Sequence, residues 1–180
     1  MVPTFVAIDF ETSGNYAGAV CALGLVRVEN GKIKRRVRQL LRPPRRDVWY
    51  THIHGIRWED VRDKPDFGEA WPVLAPLFDG AEYLAAHNAG FDKNVLYSSC
   101  RAFGVDAPTQ PFWCTVKLAR KVLGIRPANL AHVCDVLGIK LNHHDALSDA
   151  EACARIVLAA MKADFATETG KLSPHFREST

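Results

Sequence analysis

The sequence contains no apolar run that approaches the roughly 20 residues needed to cross a lipid bilayer. It also lacks an internal repeat, a low-complexity segment and a linker that would separate a second domain. Its five cysteines are scattered without a Cys-x-x-Cys pair, and no signal peptide is recognisable. We therefore expect reduced thiols in a cytoplasmic protein, and neither a disulfide framework nor a cysteine-based zinc site.

The chain of 180 residues is long enough to bury one hydrophobic core without disulfides or a structural metal. Its formal net charge is +3 at pH 7, which is compatible with a polyanionic partner. Many proteins that bind no nucleic acid share that charge, so it is weak support. We expect residues 1–163 to form one domain, followed by a polar C-terminal tail over residues 164–180.

Strands and helices are predicted to alternate along most of the chain. Residues 4–12 are apolar on both alternating faces, which is typical of a central strand, and Asn30-Gly31 between two alternating runs indicates a hairpin. The predicted strands are 4–12, 20–29, 32–41, 82–86 and 111–115, and the predicted helices are 67–78, 91–103, a segment ending at Lys121, 129–137 and 146–163. Residues 42–66 are expected to form a long irregular connection. This order predicts an α/β fold with a mixed sheet of about five strands and helices on both faces.

Two carboxylates, Asp9 and Glu11, stand two residues apart at the end of the most hydrophobic predicted strand. Because side chains in a strand alternate with a period of two, both carboxylates lie on the same face. Two adjacent acids at the end of a buried strand repel each other unless a cation neutralises them or one of them binds a proton. The alternative is a strand end that emerges into solvent, and D-x-E alone is a weak signal.

Another acid falls within the apolar stripe of the last predicted helix. At about 100° per residue, this stripe comprises Ala146, Ala150, Cys153, Val157 and Ala160. Asp149 lies inside it, so a helix that packs through the stripe carries this carboxylate to the sheet, where an unpaired charge is costly. A metal ligand and a buried acid bonded to the backbone or to an arginine both fit that position.

Polar residues in two further segments are candidates for the same site. His143 and His144 precede the last helix, and an imidazole near its ordinary pKa of about 6.5 can accept a proton at neutral pH. Periodicity does not tell which of the two points inward. Asp92 lies in the first turn of a predicted helix, where an acid can also serve as a cap, and Asn88 fits the tight turn before it.

Three motifs occur in order along the chain: VAIDFETSG, AHNAGFD and HHDALSDAEA. They contain D-x-E after a hydrophobic strand, H-N-A-x-F-D and H-x-x-x-x-D. Together they resemble the three motifs of the DEDDh exonuclease family, which includes the epsilon proofreading subunit of bacterial DNA polymerase III. The resemblance covers about residues 4–160, including the CALGLVRVENGKI and IHGI segments.

The resemblance implies a ribonuclease H-like fold and a particular activity. The implied enzyme is a metal-dependent 3′–5′ exonuclease that hydrolyses the 3′-terminal phosphodiester of DNA and releases nucleoside 5′-monophosphates. It implies two Mg²⁺ or Mn²⁺ ions as cofactors, which suit hard oxygen ligands. The implied ligands are Asp9, Glu11, Asp92 and Asp149.

The resemblance also distinguishes the two histidines. The H-x-x-x-x-D spacing selects His144, and not His143, as the general base that activates water. The sister tyrosine-type group would have a tyrosine at position 145, where this chain has Asp145. We expect Asp145 to be a solvated or helix-capping residue and not a metal ligand.

Substrate contacts are implied less directly. By resemblance, the substrate-binding residues are Thr12, His54, Ile56 and Asn88, although the VWYTH stretch before His54 departs from the family pattern. Aromatic residues of the 42–66 segment could stack bases or pack that segment onto the core, and these are Trp49, Tyr50 and Trp58. An arginine cluster could meet phosphates or be solvated, and it comprises Arg42, Arg45 and Arg46.

Three other interpretations remain open on sequence grounds. The same site could act on RNA, and a catalytically silent nucleic-acid-binding subunit could retain the fold. A zinc-binding protein that uses paired histidines is the weakest alternative, because the spacing with cysteine partners is missing. The expected partners are single-stranded DNA or a DNA 3′ end, with a polymerase or repair chain as a protein partner, and no membrane.

Overall fold

A mixed five-stranded sheet forms the centre of the computed structural model, which describes residues 2–167. The strands are β1 Phe5–Thr12, β2 Val20–Glu29, β3 Lys32–Leu40, β4 Tyr83–Ala86 and β5 Phe112–Cys114. Their order across the sheet is β3-β2-β1-β4-β5. Strand β2 pairs antiparallel with both β1 and β3, whereas β4 pairs parallel with both β1 and β5. The predicted fold class is confirmed, and β1 occupies the middle of the sheet.

Seven α-helices accompany the sheet within the described residues. They are α1 Thr51–His54, α2 Trp58–Val61, α3 Phe67–Leu74, α4 Gly90–Phe103, α5 Thr115–Lys121, α6 Leu130–Leu137 and α7 Ala146–Thr167. The expectation that residues 42–66 are irregular throughout is wrong, because α1 and α2 lie within them. Helix α7 continues four residues past the predicted boundary at 163, and residues 168–180 of the predicted tail lie outside the described residues.

The helix predicted over 67–78 divides after Leu74. Its second part, Ala75–Phe78, is a tighter 3-10 helix. Pro76 is consistent with this division, because a proline inside an α-helix lacks the N–H donor and its ring clashes with the carbonyl four residues earlier, although Pro72 lies inside α3 without ending it. Phe67, Trp71, Leu74 and Phe78 nevertheless face the core, whereas Val73 is exposed.

The two faces of β1 pack against different helices. On one face, Ile8 and its neighbours contact Phe67 of α3 and Leu96 of α4 in one core cluster. On the other face, Phe5 and Ala7 belong to a second cluster with the apolar stripe of α7. This arrangement explains why residues 4–12 are apolar at nearly every position. No helix among residues 2–167 has the length and apolar character needed to cross a bilayer.

The Asn30-Gly31 turn connects β2 and β3 as predicted. Asn30 has φ +50° and Gly31 has φ +73°, the left-handed conformations that a two-residue hairpin turn requires. The hairpin carries β2 alongside β1 and leaves β3 at the outer edge of the sheet. The end of β2 near Val20 thereby lies beside the end of β1 near Thr12.

Candidate active site

Three of the four predicted acids meet at the C-terminal end of β1. One carboxylate oxygen from each of Asp9, Glu11 and Asp149 lies within 4.8 Å of the others. Asp9 and Glu11 point to the same face of β1, as their spacing predicts, and Asp149 approaches from α7. The side chains are poorly accessible to water, since Glu11 is 9% exposed and Asp149 only 4%.

A close approach of α7 to the sheet brings Asp149 to this place. Gly24 of β2 pairs with Asp9 of β1, and the backbone of Ala146 lies directly on Gly24. A Cβ atom at position 24 would overlap the carbonyl oxygen of Ala146, so only glycine permits this contact. Because α7 begins on β2 at the level of Asp9, its first turn places Asp149 beside the acid pair.

Asp92 adjoins the cluster from the opposite side of β1. It is 2% exposed in the first turn of α4, and its Oδ1 accepts a hydrogen bond of 3.2 Å from the backbone N–H of Phe10. This bond ties α4 to the strand residue between Asp9 and Glu11. Asp92 therefore lies next to the end of β1, but it stands outside the group of three whose oxygens lie within 4.8 Å and is not among the residues that line the pocket described below.

Burial and mutual repulsion raise the pKa values of all four carboxyls. Burial, followed by the charges of neighbouring acids, raises the pKa of Glu11 to about 8 and that of Asp9 well above its usual range. Burial also raises the pKa of Asp92 to about 8 and that of Asp149 to about 6. Asp149 Oδ1 is buried without a hydrogen-bond partner. Such a cluster is costly when ionised alone, and a cation would relieve it.

Both candidate histidines lie beside Asp149. The backbone N–H of His144 donates a hydrogen bond of 3.1 Å to Asp149 Oδ2, and His143 Nε2 lies 3.8 Å from the same oxygen. The two imidazole rings stack with centroids 3.9 Å apart, and His144 has a left-handed φ of +68°. Burial lowers the pKa of His144, with a smaller contribution from the neighbouring His143. Proximity alone therefore does not separate their roles.

Asp145 caps the helix that carries Asp149. Its Oδ1 accepts a hydrogen bond of 3.0 Å from the backbone N–H of Ser148, and its Oδ2 lies 2.9 Å from Arg38 Nε on the edge strand. The expectation of a helix-capping role is confirmed. The ion pair with Arg38 further fixes the first turn of α7 against β3.

A pocket of about 510 Å³ opens over the acid cluster. Its floor contains Asp9, Glu11 and Asp149, and both histidines border it. The remaining lining residues come from several loops and helices, and they are Phe10, Thr12, Asn15, Tyr50, Ile53, His54, His87, Phe91, Asn129 and Leu130. Its size and its mixture of aromatic and polar walls suit a ligand as large as a nucleotide.

The predicted substrate residues divide into two groups. Thr12 and His54 line the pocket, and so does Tyr50 among the predicted aromatic residues. Ile56 is only 7% exposed and packs in the core with Cys21 and Val61. Asn88 is exposed in the left-handed turn before α4. Neither Ile56 nor Asn88 is among the residues that line this pocket.

Other residues of the 42–66 segment are distributed around the site. Arg42 pairs with Asp66 and Glu69, so its charge is already matched. Arg45 lies over the Tyr16 ring at 4.4 Å, and Arg46 lies 6.0 Å from the ring centroid of Trp58. Trp58 packs against the core beside Ile56, whereas Trp49 is 55% exposed.

Several lining residues were not predicted as part of the site. Phe91 directly precedes Asp92 in the second motif, and that neighbourhood was a usable signal. His87 also belongs to the motif, and its Nδ1 lies 2.8 Å from Thr115 Oγ1 while burial lowers its pKa to about 4. Ile53 and Asn129 carry no such signal, because only the folding of α1 and α6 brings them to the pocket.

A family model described as Exonuclease (RNase_T) matches residues 6–157, which include all three motifs. The chain belongs to the RNase_T exonuclease family. The family predicted from the three motifs is thereby confirmed. The four acids and both histidines lie within the matched residues.

The chain is also similar to named relatives and to solved structures. The chain is 33% identical to Exodeoxyribonuclease 10 of Escherichia coli strain K12, over 86% of this chain and 67% of that protein. It is 31% identical to a PolC-type DNA polymerase III of Thermotoga petrophila, where the match covers 86% of this chain but spans only 12% of the polymerase. A solved structure of Exonuclease X with 5′ overhanging duplex DNA has a TM-score of 0.72 at 26% identity, covering 93% of this chain and 96% of the other.

Proposed function

We propose that the protein is a metal-dependent 3′–5′ exonuclease that hydrolyses the 3′-terminal phosphodiester of DNA and releases nucleoside 5′-monophosphates. The observation that carries this proposal is the group of Asp9, Glu11 and Asp149, whose oxygens lie within 4.8 Å of one another below a nucleotide-sized pocket. An uncompensated acid cluster would repel an anionic substrate. The same cluster with bound cations would attract it.

The residues present fit two divalent cations, Mg²⁺ or Mn²⁺. Carboxylate oxygens are the ligands that these hard ions prefer, and Asp149 Oδ1 is buried without a partner. Asp9, Glu11 and Asp149 would hold the cations together with Asp92, whose Oδ1 is anchored to the Phe10 amide. When bound, such cations supply the positive charge that an attacking water and a departing 3′ oxygen require.

His144 is the proposed general base. Burial lowers the pKa of His144, so the imidazole is neutral at pH 7 and able to accept a proton from the attacking water. Its backbone bond to Asp149 holds it beside the acid cluster. His143 remains a competitor, because its Nε2 lies 3.8 Å from the same carboxylate.

DNA is the proposed polymer. Exodeoxyribonuclease 10 is named for that substrate, and the solved Exonuclease X structure contains duplex DNA. The pocket walls add Tyr50, Ile53 and Phe91, whose apolar surfaces can stack on a terminal base. Since a PolC-type polymerase contains a matching segment, we also propose a DNA polymerase or repair chain as a partner for proofreading or repair.

One assay tests the activity and the substrate together. Single-stranded DNA, single-stranded RNA and a 3′-mismatched DNA duplex, each labelled at the 5′ end, are incubated with Mg²⁺, Mn²⁺ or EDTA. We expect a metal-dependent ladder that shortens from the 3′ end, strongest on DNA. Asp9→Asn should abolish it, whereas Asp63→Asn, at an exposed acid outside the pocket, should not.

Three outcomes would contradict parts of the proposal. Shortening that persists in EDTA and in Asp9→Asn would rule out the metal mechanism. Faster shortening of RNA than of DNA would mean that RNA is the preferred substrate. Binding of all three polymers without any shortening would identify a silent nucleic-acid-binding subunit.

A further inference from the structure

His54 lies in the 42–66 segment, and both of its ring nitrogens have partners within the protein, one of them at the end of β1. The backbone N–H of Ile56 donates a hydrogen bond of 3.1 Å to Nδ1. On the other side of the ring, Nε2 lies 3.2 Å from the carbonyl oxygen of Thr12. Thr12 directly follows Glu11, so this contact reaches the backbone beside a proposed metal ligand.

These contacts determine which ring nitrogen of His54 carries the proton. The backbone N–H of Ile56 can only donate, so Nδ1 must be the acceptor and the single proton of a neutral imidazole lies on Nε2. That proton is what the Thr12 carbonyl requires. The Cys21 thiol lies 3.8 Å from the same nitrogen. Both ring nitrogens are therefore engaged within the protein, although His54 lines the pocket.

The strand end that His54 contacts is a point where the sheet becomes irregular. The pairing of β1 with β2 shifts register between Glu11 and Thr12, as at a β-bulge. The next residue, Ser13, accepts a hydrogen bond of 2.8 Å from the backbone N–H of Trp49. Two hydrogen bonds thus join residues 12 and 13 to the start and end of the segment 49–54.

This segment forms one wall of the pocket, because Tyr50 and Ile53 line it together with His54. Helix α1, which carries Ile53 and His54, has only four residues and no buried residue of its own. A single helical turn is not stable alone in water, so its position depends on contacts made outside the helix. The His54–Thr12 hydrogen bond is such a contact, and it joins this wall of the pocket directly to β1, the strand that carries Asp9 and Glu11.

We propose that His54 is a positioning residue of the exonuclease. It holds the wall of the pocket at a fixed distance from Glu11 by donating from Nε2 to the Thr12 carbonyl, and its ring nitrogens neither bind substrate nor carry protons in the reaction. This inference rests on the proposed function for its effect on turnover, but the hydrogen bonds themselves can be tested without any activity.

Two substitutions separate the two hydrogen bonds of His54. In His54→Gln, the side-chain amide nitrogen stands near the position of Nε2 and can donate to Thr12, while the acceptor for Ile56 is lost. In His54→Asn, the amide oxygen stands near the position of Nδ1 and can accept from Ile56, while the bond to Thr12 is lost. His52→Gln, at an exposed histidine on the same helical turn that does not line the pocket, is the matched control.

The expected result is a split between the two variants in kcat. Misplacement of reacting groups by about 1 Å can cost about 100-fold, so His54→Asn should lose about 100-fold in kcat on single-stranded DNA. The kcat of His54→Gln should stay within about tenfold of the wild-type value, because the loss of one neutral hydrogen bond has an effect of about that size. His52→Gln should match wild type. Circular dichroism and the melting temperature establish that each variant is folded.

Each other pattern would overturn the proposal. Equal, large losses in kcat for folded Gln and Asn variants would mean that the imidazole itself carries a proton. A rise in KM with unchanged kcat in both would mean that His54 binds substrate directly. Wild-type kinetics in both, or an Asn variant more active than the Gln variant, would mean that the Thr12 bond does not position the site.

Nuclear magnetic resonance of the ¹⁵N-labelled wild-type protein tests the same geometry without activity or folding of a variant. We expect the imidazole of His54 in the Nε2–H tautomer, with slow exchange of that proton. An Nδ1–H tautomer or a cationic ring at neutral pH would refute the hydrogen-bond arrangement. If instead this tautomer is found but the wild-type protein degrades no nucleic acid, the proposed function fails while the His54 contacts stand.

Discussion

In the absence of divalent cations, the free energy of unfolding of the protein should fall as the pH rises. The folded-state pKa values of Glu11 and Asp92 are raised to about 8 and that of Asp149 to about 6. Below their ordinary pKa values these groups are protonated in both the folded and unfolded chains, so they impose no penalty. As pH rises, the unfolded chain ionises first, and the free energy of unfolding falls until the folded pKa values are passed.

The structure indicates the size of this effect. Asp92 is 2% exposed, and its pKa is raised from 3.8 to about 8. At 1.36 kcal/mol per pKa unit, this carboxyl alone costs the metal-free fold on the order of 4 kcal/mol at pH 7. For a domain of this size, about 1 kcal/mol changes the melting temperature by about 2–4 °C. A fall on the order of 10 °C is therefore expected between about pH 5.5 and about pH 8.

Cations should reverse this loss at high pH. A ligand at 100 times its Kd adds about 2.7 kcal/mol to the stability of the folded state, or roughly 5–10 °C here. Protons compete with cations for the same carboxylates, so the shift should be smaller at about pH 5.5 than at about pH 8. Titration of His144 cannot cause the fall in stability with rising pH, because a lowered histidine pKa makes the fold more stable as the pH rises.

Thermal denaturation in EDTA, Mg²⁺ and Mn²⁺ at these pH values provides the assay. Asp92→Asn retains an oxygen that can accept from Phe10 but removes the charge, so its melting temperature in EDTA should depend less on pH. The exposed Asp63→Asn should behave as wild type. A metal-free wild-type protein that becomes more stable towards about pH 8, or an equal cation shift at both pH values, would refute the reasoning.

Three further perturbations test how the site is built. Gly24→Ala should lower the melting temperature, because overpacking costs about 1–3 kcal/mol, and should also slow DNA hydrolysis by displacing the start of α7. Wild-type values for both would contradict the close approach. His144→Gln should reduce turnover by about 10²–10⁴-fold and His143→Gln far less, so equal losses would refute the choice of base. Arg45→Ala should weaken binding of single-stranded DNA and lower its salt slope by about one in fluorescence anisotropy. Arg42→Ala, which removes an already paired charge, should change neither quantity, and equal effects of the two substitutions would contradict this distinction.

Local patterns predicted most of the sheet and its helices. The alternation in residues 4–12 identified a strand covered on both faces, and its two sets of side chains do lie in different core clusters. The Asn30-Gly31 turn was readable because its left-handed conformations depend on those two residues alone. The apolar stripe of α7 placed Asp149 against the sheet, since helical periodicity requires no knowledge of the partner.

Contacts made between distant segments were not readable in the same way. Helices α1 and α2 are four residues each, so they leave no periodic signal within the predicted loop. Ile56 was predicted to contact substrate by resemblance, but packing around it places the side chain in the core. His54 was assigned to substrate by the same resemblance and lines the pocket, but nothing in the sequence indicated that both of its ring nitrogens have partners within the protein.

The sequence by itself predicted the five strands, the longer helices outside residues 42–66, and the candidate acids with their neighbouring histidines. These follow from spacing along one strand, one helix or one motif, where neighbours in the chain are neighbours in space. Only the tertiary structure decided how those acids meet. Gly24 lets α7 rest on β2, the Phe10 amide anchors Asp92, and Thr12 receives His54 across the pocket. Each contact joins residues far apart in the chain, and its geometry depends on how whole elements pack.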